Sequence, residues 1–118
     1  MSKIYTFCFD IDNTICKTFK NDYKNSQPYK KKIKFINELY NQGHNIIFFT
    51  ARGMGSLKSK KKSEEKYLKF TLLQLKKWNV KYNKLLLGKP SWDFFIDDKN
   101  LGFSRNWEKQ IKKIIKLK

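Results

Sequence analysis

The chain has 118 residues, enough for one compact domain with a real core and too few for a second domain of ordinary size. No stretch approaches the roughly 20 apolar residues that cross a bilayer, and Met1-Ser2-Lys3 runs straight into a strand-like segment with no apolar leader, so a soluble, cytoplasmic protein without membrane attachment is expected. The net charge of +17 invites a polyanion, but 25 of the 27 basic residues are lysine and Ala51 is the only alanine, the profile of an A+T-rich coding bias. Base-reading surfaces lean on the arginine fork, so solvated lysine faces are favoured over a nucleic-acid patch.

Ile4 to Phe9 is β-branched and aromatic and reads as a buried strand ending at Asp10. Cys8 within it reads as a small core residue. Cys8, Cys16 and the lone His44 form no zinc pattern, and reduced cysteines are expected. Residues 15 to 27 are polar and read as a loop or small flap. Pro28 opens a helix whose inward face is Ile33, Ile36, Leu39 and Tyr40, and Gly43 ends it. Asn45 to Phe49 is a second buried strand, ending at Thr50.

Ala51 to Ser63 begins as a flexible loop with Gly53, Gly55 and the lysines 58 and 60 to 62. A second helix follows, with Leu68, Leu72, Leu75 and Trp78 as its inward stripe. Leu85 to Leu87 is a third strand, broken by Gly88-Lys89-Pro90. Phe94 to Ile96 is a fourth, ending at Asp97, and a closing amphipathic helix starts near Ser104. Apolar strands alternating with helices imply a single α/β domain over residues 1–118, Rossmann-like and three-layered, with a parallel sheet. Asp10, Thr50 and Asp97-Asp98 then all stand at the carboxyl ends of strands, where ligands bind in open α/β sheets.

Asp10 and Asp12 lie two apart beyond a strand, so an extended continuation aims both side chains the same way. A carboxylate attacks phosphorus competently when a cation neutralises the substrate and the oxygen is in line. A turn in which Asp and Asn satisfy backbone groups would give the same local sequence. Asp97-Asp98 adds two further acids, which a hard cation would relieve; oxygen-only donors without His or Cys favour magnesium over zinc. One of these two acids is expected to cap the following turn. The Thr50 hydroxyl and the N–H groups of Ala51-Arg52-Gly53 suit phosphoryl oxygens. Lys89, at the end of the third strand, can offset charge that grows during transfer.

This ordered set, D-x-D-x-T from Asp10 to Thr14, then Thr50, Lys89 and Asp97-Asp98, resembles the haloacid dehalogenase superfamily, most of whose members are phosphatases. The resemblance spans about Ile4 to Asn100. It implies that Asp10 is the nucleophile of an aspartyl-phosphate and Asp12 the general acid/base, while Thr50 and Lys89 hold the phosphoryl group. Thr14, Ala51, Arg52 and Gly53 would contact substrate. Magnesium would be held by the Asp10 carboxylate, the Asp12 backbone carbonyl, Asp98 directly and Asp97 beside it or through water. Two departures stand out: Asn13 replaces the frequent glycine, and only eight residues separate Lys89 from Asp97, which leaves Lys84 as a weaker candidate for the lysine.

There is no room for a cap domain in residues 15 to 27 or 52 to 84. The chain is similar in this to small capless phosphatases of capsule or surface-polysaccharide biosynthesis, through Thr-Ala-Arg-Gly and Gly-Lys-Pro leading quickly to Ile-Asp-Asp. That implies a phosphorylated sugar or similar small substrate, with a site left open or closed by another subunit of a homo-oligomer. The open site and the basic loop also admit a nucleotide or polynucleotide phosphatase, and a third reading is a non-catalytic phospho-ligand or nucleic-acid binding module.

Overall fold

The computed structural model describes residues 3–115. Along it run β1 (Thr6–Phe9), β2 (Cys16–Lys17), a 3-10 turn (Tyr23–Asn25), β3 (Gln27–Pro28), α1 (Lys30–Asn41), β4 (Asn45–Phe49), α2 (Met54–Leu57), α3 (Lys60–Lys77), β5 (Lys84–Leu86) and α4 (Trp107–Ile115). These divide into two compact units, Ile4–Ser91 and a smaller one built from Trp92 onward. The fold is α/β, with a parallel three-stranded sheet flanked by helices. Among the described residues no helix is long and apolar enough to cross a membrane.

In the larger unit the sheet order is β1-β4-β5, all parallel, with Phe9 opposite Phe48 and Phe49 opposite Leu86. Both crossovers step the same way, and right-handed connections therefore lay α1 and α3 on one face. The Asn37 amide of α1 ties the two together by donating to the Asn79 carbonyl just past α3, at 2.9 Å. Ile46 and Phe48 point to that face and are fully buried, as are Ile36, Leu39 and Leu75 of the helices. Cys8 points to the opposite face by strand alternation and is exposed, so it is not the core residue expected.

Helix ends follow the local chemistry. Gly43 (φ +94) and Asn79 (φ 57) both take the left-handed position after a helix. In each case the next two N–H groups bond back into the last turn: Gly43 to Tyr40 and His44 to Leu39, Asn79 to Lys76 and Val80 to Leu75, all at 3.0–3.1 Å. Pro28 does not open α1. It pairs with Cys16 in the β2–β3 ribbon, where a missing N–H is tolerated, and Lys30 begins the helix.

α3 begins at Lys60, earlier than expected, because Ser59 caps it by accepting the Lys62 N–H at 3.3 Å; the lysine run is thus its first turn. Its buried residues are Ser63, Thr71 and Leu75, whereas Leu72 is exposed. The helix is turned this way because Gly53 comes so close that an added Cβ would stand 2.9 Å from both Ser63 Oγ and Tyr67 Cδ2. Small and polar residues must therefore face the loop after β4.

The expected fourth strand does not form: Phe94 to Ile96 belongs to no strand among the described residues, and Phe94 and Ile96 are exposed. Trp92 instead stacks on Phe95, with ring centroids 4.7 Å apart and planes 5° from parallel. Residues three apart in a strand point to opposite faces, so the stack shows that the chain from Trp92 to Phe95 is not extended.

Replacing Gly43 by alanine puts a Cβ on left-handed backbone at 3.4 Å from Ile4 Cδ1. We expect a loss of about 1 kcal/mol in urea denaturation, with an unchanged m-value.

Candidate active site

β1 delivers its chain into a tight turn in which the Thr14 and Ile15 N–H groups both donate to the Ile11 carbonyl, at 3.1 and 3.0 Å. Asn13 takes left-handed backbone (φ 62), and its Oδ1 accepts the Thr18 N–H at 3.0 Å. Asparagine tolerates this left-handed backbone better than most residues, and here it adds a tie to the flap. Asp10 stands at the start of this turn. Lys89 Nζ lies 3.6 Å from Asp10 Oδ1, and the Lys89 N–H donates to the Thr50 carbonyl at 3.2 Å. Lys84 is exposed at the start of β5, so Lys89 is the lysine that reaches Asp10. Burial raises the Asp10 carboxyl above its ordinary value, against the opposing pull of the Lys89 charge.

Arg52 is buried, with 1% of its surface exposed. Its Nε donates to Asp12 Oδ2 at 3.0 Å and one terminal nitrogen to Asp12 Oδ1 at 2.9 Å, a two-point fork. The other terminal nitrogen donates to Thr71 Oγ1 at 3.2 Å. The Tyr23 ring covers the guanidinium, with its centroid 4.7 Å from Cζ. Thr18 Oγ1 donates to Asp12 Oδ1 at 2.7 Å, so both oxygens of Asp12 have donors. Within the described contacts Arg52 holds Asp12 rather than presenting a free fork to a substrate.

A cavity of about 230 Å³ opens over Asp10 and Asp12. Ala51, Arg52 and Gly53 line it, as expected for the loop after β4. Thr50 is fully buried behind that loop, where its Oγ1 accepts the Arg52 N–H at 3.2 Å. Neither Thr50 nor Thr14 is among the lining residues. Asn21, Tyr23, Gly55, Ser56, Tyr67 and Ser91, none of them expected as site residues from the sequence, complete the wall. The signal for Tyr67 was its spacing of four from Ser63 and Thr71, masked by the leucines of α3. Tyr23 carried no local signal.

Asp97 and Asp98 belong to the smaller unit. There Asp97 caps its turn, with Oδ1 accepting the Lys99 N–H at 3.0 Å and its carbonyl accepting the Asn100 N–H at 3.1 Å, and that bond to Lys99 holds the exposed carboxyl below its ordinary value. This is the capping role expected of one acid of the pair. Among the described residues no three His, Cys, Asp or Glu side chains gather as a ready metal site. A hard cation needs only one or two carboxylates and keeps several waters. The donor chemistry of Asp10 fits magnesium, whereas the occupied Asp12 carboxylate leaves that residue only its backbone carbonyl to offer.

No family model matches the chain, and no curated protein does. Among solved structures, a Vibrio cholerae structural-genomics target superposes with a TM-score of 0.76 at 25% identity, over 94% of this chain and 98% of that one. The two chains share the α/β fold.

Two expectations follow from this geometry. A carboxyl raised by folding lends stability that is full below its unfolded pKa and is lost as pH rises through the higher folded value. In metal-free protein, Asp10→Asn should therefore be more stable than wild type at neutral pH and should lack that decline, as thermal melts across pH would show. Arg52→Met strands the Asp12 charge; because Asp12 keeps some contact with water, we expect a loss of about 2–3 kcal/mol by denaturant titration.

Proposed function

We propose that this protein is a magnesium-dependent phosphomonoesterase of the haloacid dehalogenase type, acting in the cytoplasm on a small phosphorylated metabolite such as a sugar phosphate. The observation that carries this reading is the Asp10 carboxylate beside the Lys89 ammonium, 3.6 Å apart, below a cavity that also admits Asp12. An anionic nucleophile next to a fixed cation suits attack on a phosphate, whose own charge the cation offsets. The cavity, at about 230 Å³, suits a sugar-sized body, since sites for drug-sized ligands run from about 300 to 1,000 Å³.

In the first step an Asp10 oxygen bonds to phosphorus while the ester P–O bond breaks, and the leaving oxygen takes a proton from Asp12. In the second, Asp12 takes a proton from water, the water oxygen bonds to phosphorus, and the bond to Asp10 breaks to release inorganic phosphate. At rest Asp12 is an anion in the Arg52 fork; it takes up a proton from solvent as it moves to the leaving oxygen, and after the second step returns one to solvent and goes back to the fork. With the Arg52 N–H committed to Thr50 Oγ1, the Ala51 N–H is the loop donor that orients the phosphoryl oxygens. Magnesium, when bound, supplies charge neutralisation at phosphorus.

The test is release of phosphate from p-nitrophenyl phosphate and a panel of sugar phosphates. We expect turnover that EDTA stops and magnesium restores, and at least a thousandfold loss in Asp10→Asn. Near-normal turnover in Asp10→Asn, or turnover indifferent to chelation, would sink the reading.

A further inference from the structure

A second cavity, of about 280 Å³, adjoins the first and shares Asn21, Tyr23 and Tyr67 with it. Its remaining wall is Asp22, Lys24, Lys66 and Phe70. The flap supplies one side and α3 the other. The shared wall is prebuilt: Gln74 Nε2 donates to the Tyr23 carbonyl at 2.7 Å, the Tyr23 ring lies on Arg52, and Tyr67 meets Tyr23 edge to face at 5.2 Å. Lys20 (φ 44) and Asn21 (φ 62) both take left-handed backbone in the turn that places Asn21 on both cavities. Such backbone in a lysine is costly and persists where surrounding contacts enforce it.

The charge of this cavity is distinctive. Asp22, its single acid, accepts a hydrogen bond from Asn25 Nδ2 at 2.9 Å. Lys66 Nζ stands 5.4 Å from the Tyr67 ring centroid, at the wall common to both cavities. Lys24 belongs to the lining on the flap side. Two flexible ammonium groups around an aromatic surface suit one compact anion on a ring-sized body, since lysine recognises charge as a point and not as a planar fork. We propose that this second cavity is a leaving-group subsite, and that the preferred substrate is a small phosphomonoester bearing a second anionic group, a carboxylate or another phosphate. The proposal rests on the phosphatase reading of Asp10 and narrows its substrate class.

The experiment compares a hexose monophosphate with the matching hexonic-acid phosphate and hexose bisphosphate, using p-nitrophenyl phosphate as a reference whose phosphate is its one anionic group. We expect wild type to favour the two sugars that carry a second anionic group in kcat/KM. Lys24→Gln and Lys66→Gln should each cost those substrates about threefold, and the double variant about tenfold, through KM. Turnover of p-nitrophenyl phosphate should stay unchanged, which also reports an intact fold. Equal use by wild type of sugars with and without the second anionic group, or equal losses on all substrates in the double variant, overturns the proposal. So does a preference for terminally phosphorylated oligonucleotides whose affinity falls more steeply with salt as length grows. If p-nitrophenyl phosphate is never hydrolysed, the phosphatase reading fails separately. Calorimetric binding then decides the subsite: tighter binding of the hexonic-acid phosphate, lost in the double variant, retains it, and no such preference overturns it.

Discussion

A guanidinium taken out of water must be fully paired, and that requirement at Arg52 fixes most of the larger unit. Removing an ion from water costs several kcal/mol even after relaxation, so the cost is offset only by good geometry and further hydrogen bonds. Arg52 obtains these from three places distant in sequence: Asp12 after β1, the Tyr23 ring on the flap, and α3, which supplies Thr71 and the Phe70 ring at 5.8 Å. The three belong to different local structures. Satisfying one side chain therefore sets the turn after β1, the flap and the rotation of α3 together.

The consequences spread outward through close contacts. Gly53 must lack a side chain because Ser63 and Tyr67 lie against it, and it takes φ +85. That approach brings α3 down onto the loop after β4 and directs Tyr67 to the cavity. The flap is secured by Thr18, whose hydroxyl contacts both Asp12 and Ser26, at 2.7 and 2.6 Å. A short polar ribbon with little core of its own is thus held by the same carboxylate that faces the cavity. The apparent flexibility of a polar segment is overridden by polar contacts to a buried charge.

Charge is divided by burial. The lysine excess lies largely on solvated faces, where water screens it and exposed pairs contribute little. Lys89 differs because it stands beside a carboxyl that burial has pushed toward its neutral form. Lys24 and Lys66 differ because they border a walled cavity. Three lysines of an otherwise bland surface are singled out by position alone.

Much of this was legible in the chain. Apolar runs gave β1, β4 and β5, with ends shifted by two residues at most, and periodicity with Gly43 gave α1 and its stop. The place of Asp10 after a strand and the role of Asn13 as a left-handed residue also follow from local rules. These features depend on backbone sterics and short-range patterns, which the sequence by itself determines. Tertiary structure alone decided that Arg52 holds Asp12, that Tyr23 and Tyr67 form a wall, that Cys8 faces away from α1 and α3, and that Trp92 stacks on Phe95 where a strand was expected. Each of these depends on which distant groups meet, and a buried charge or an aromatic face is satisfied by partners that no local pattern names.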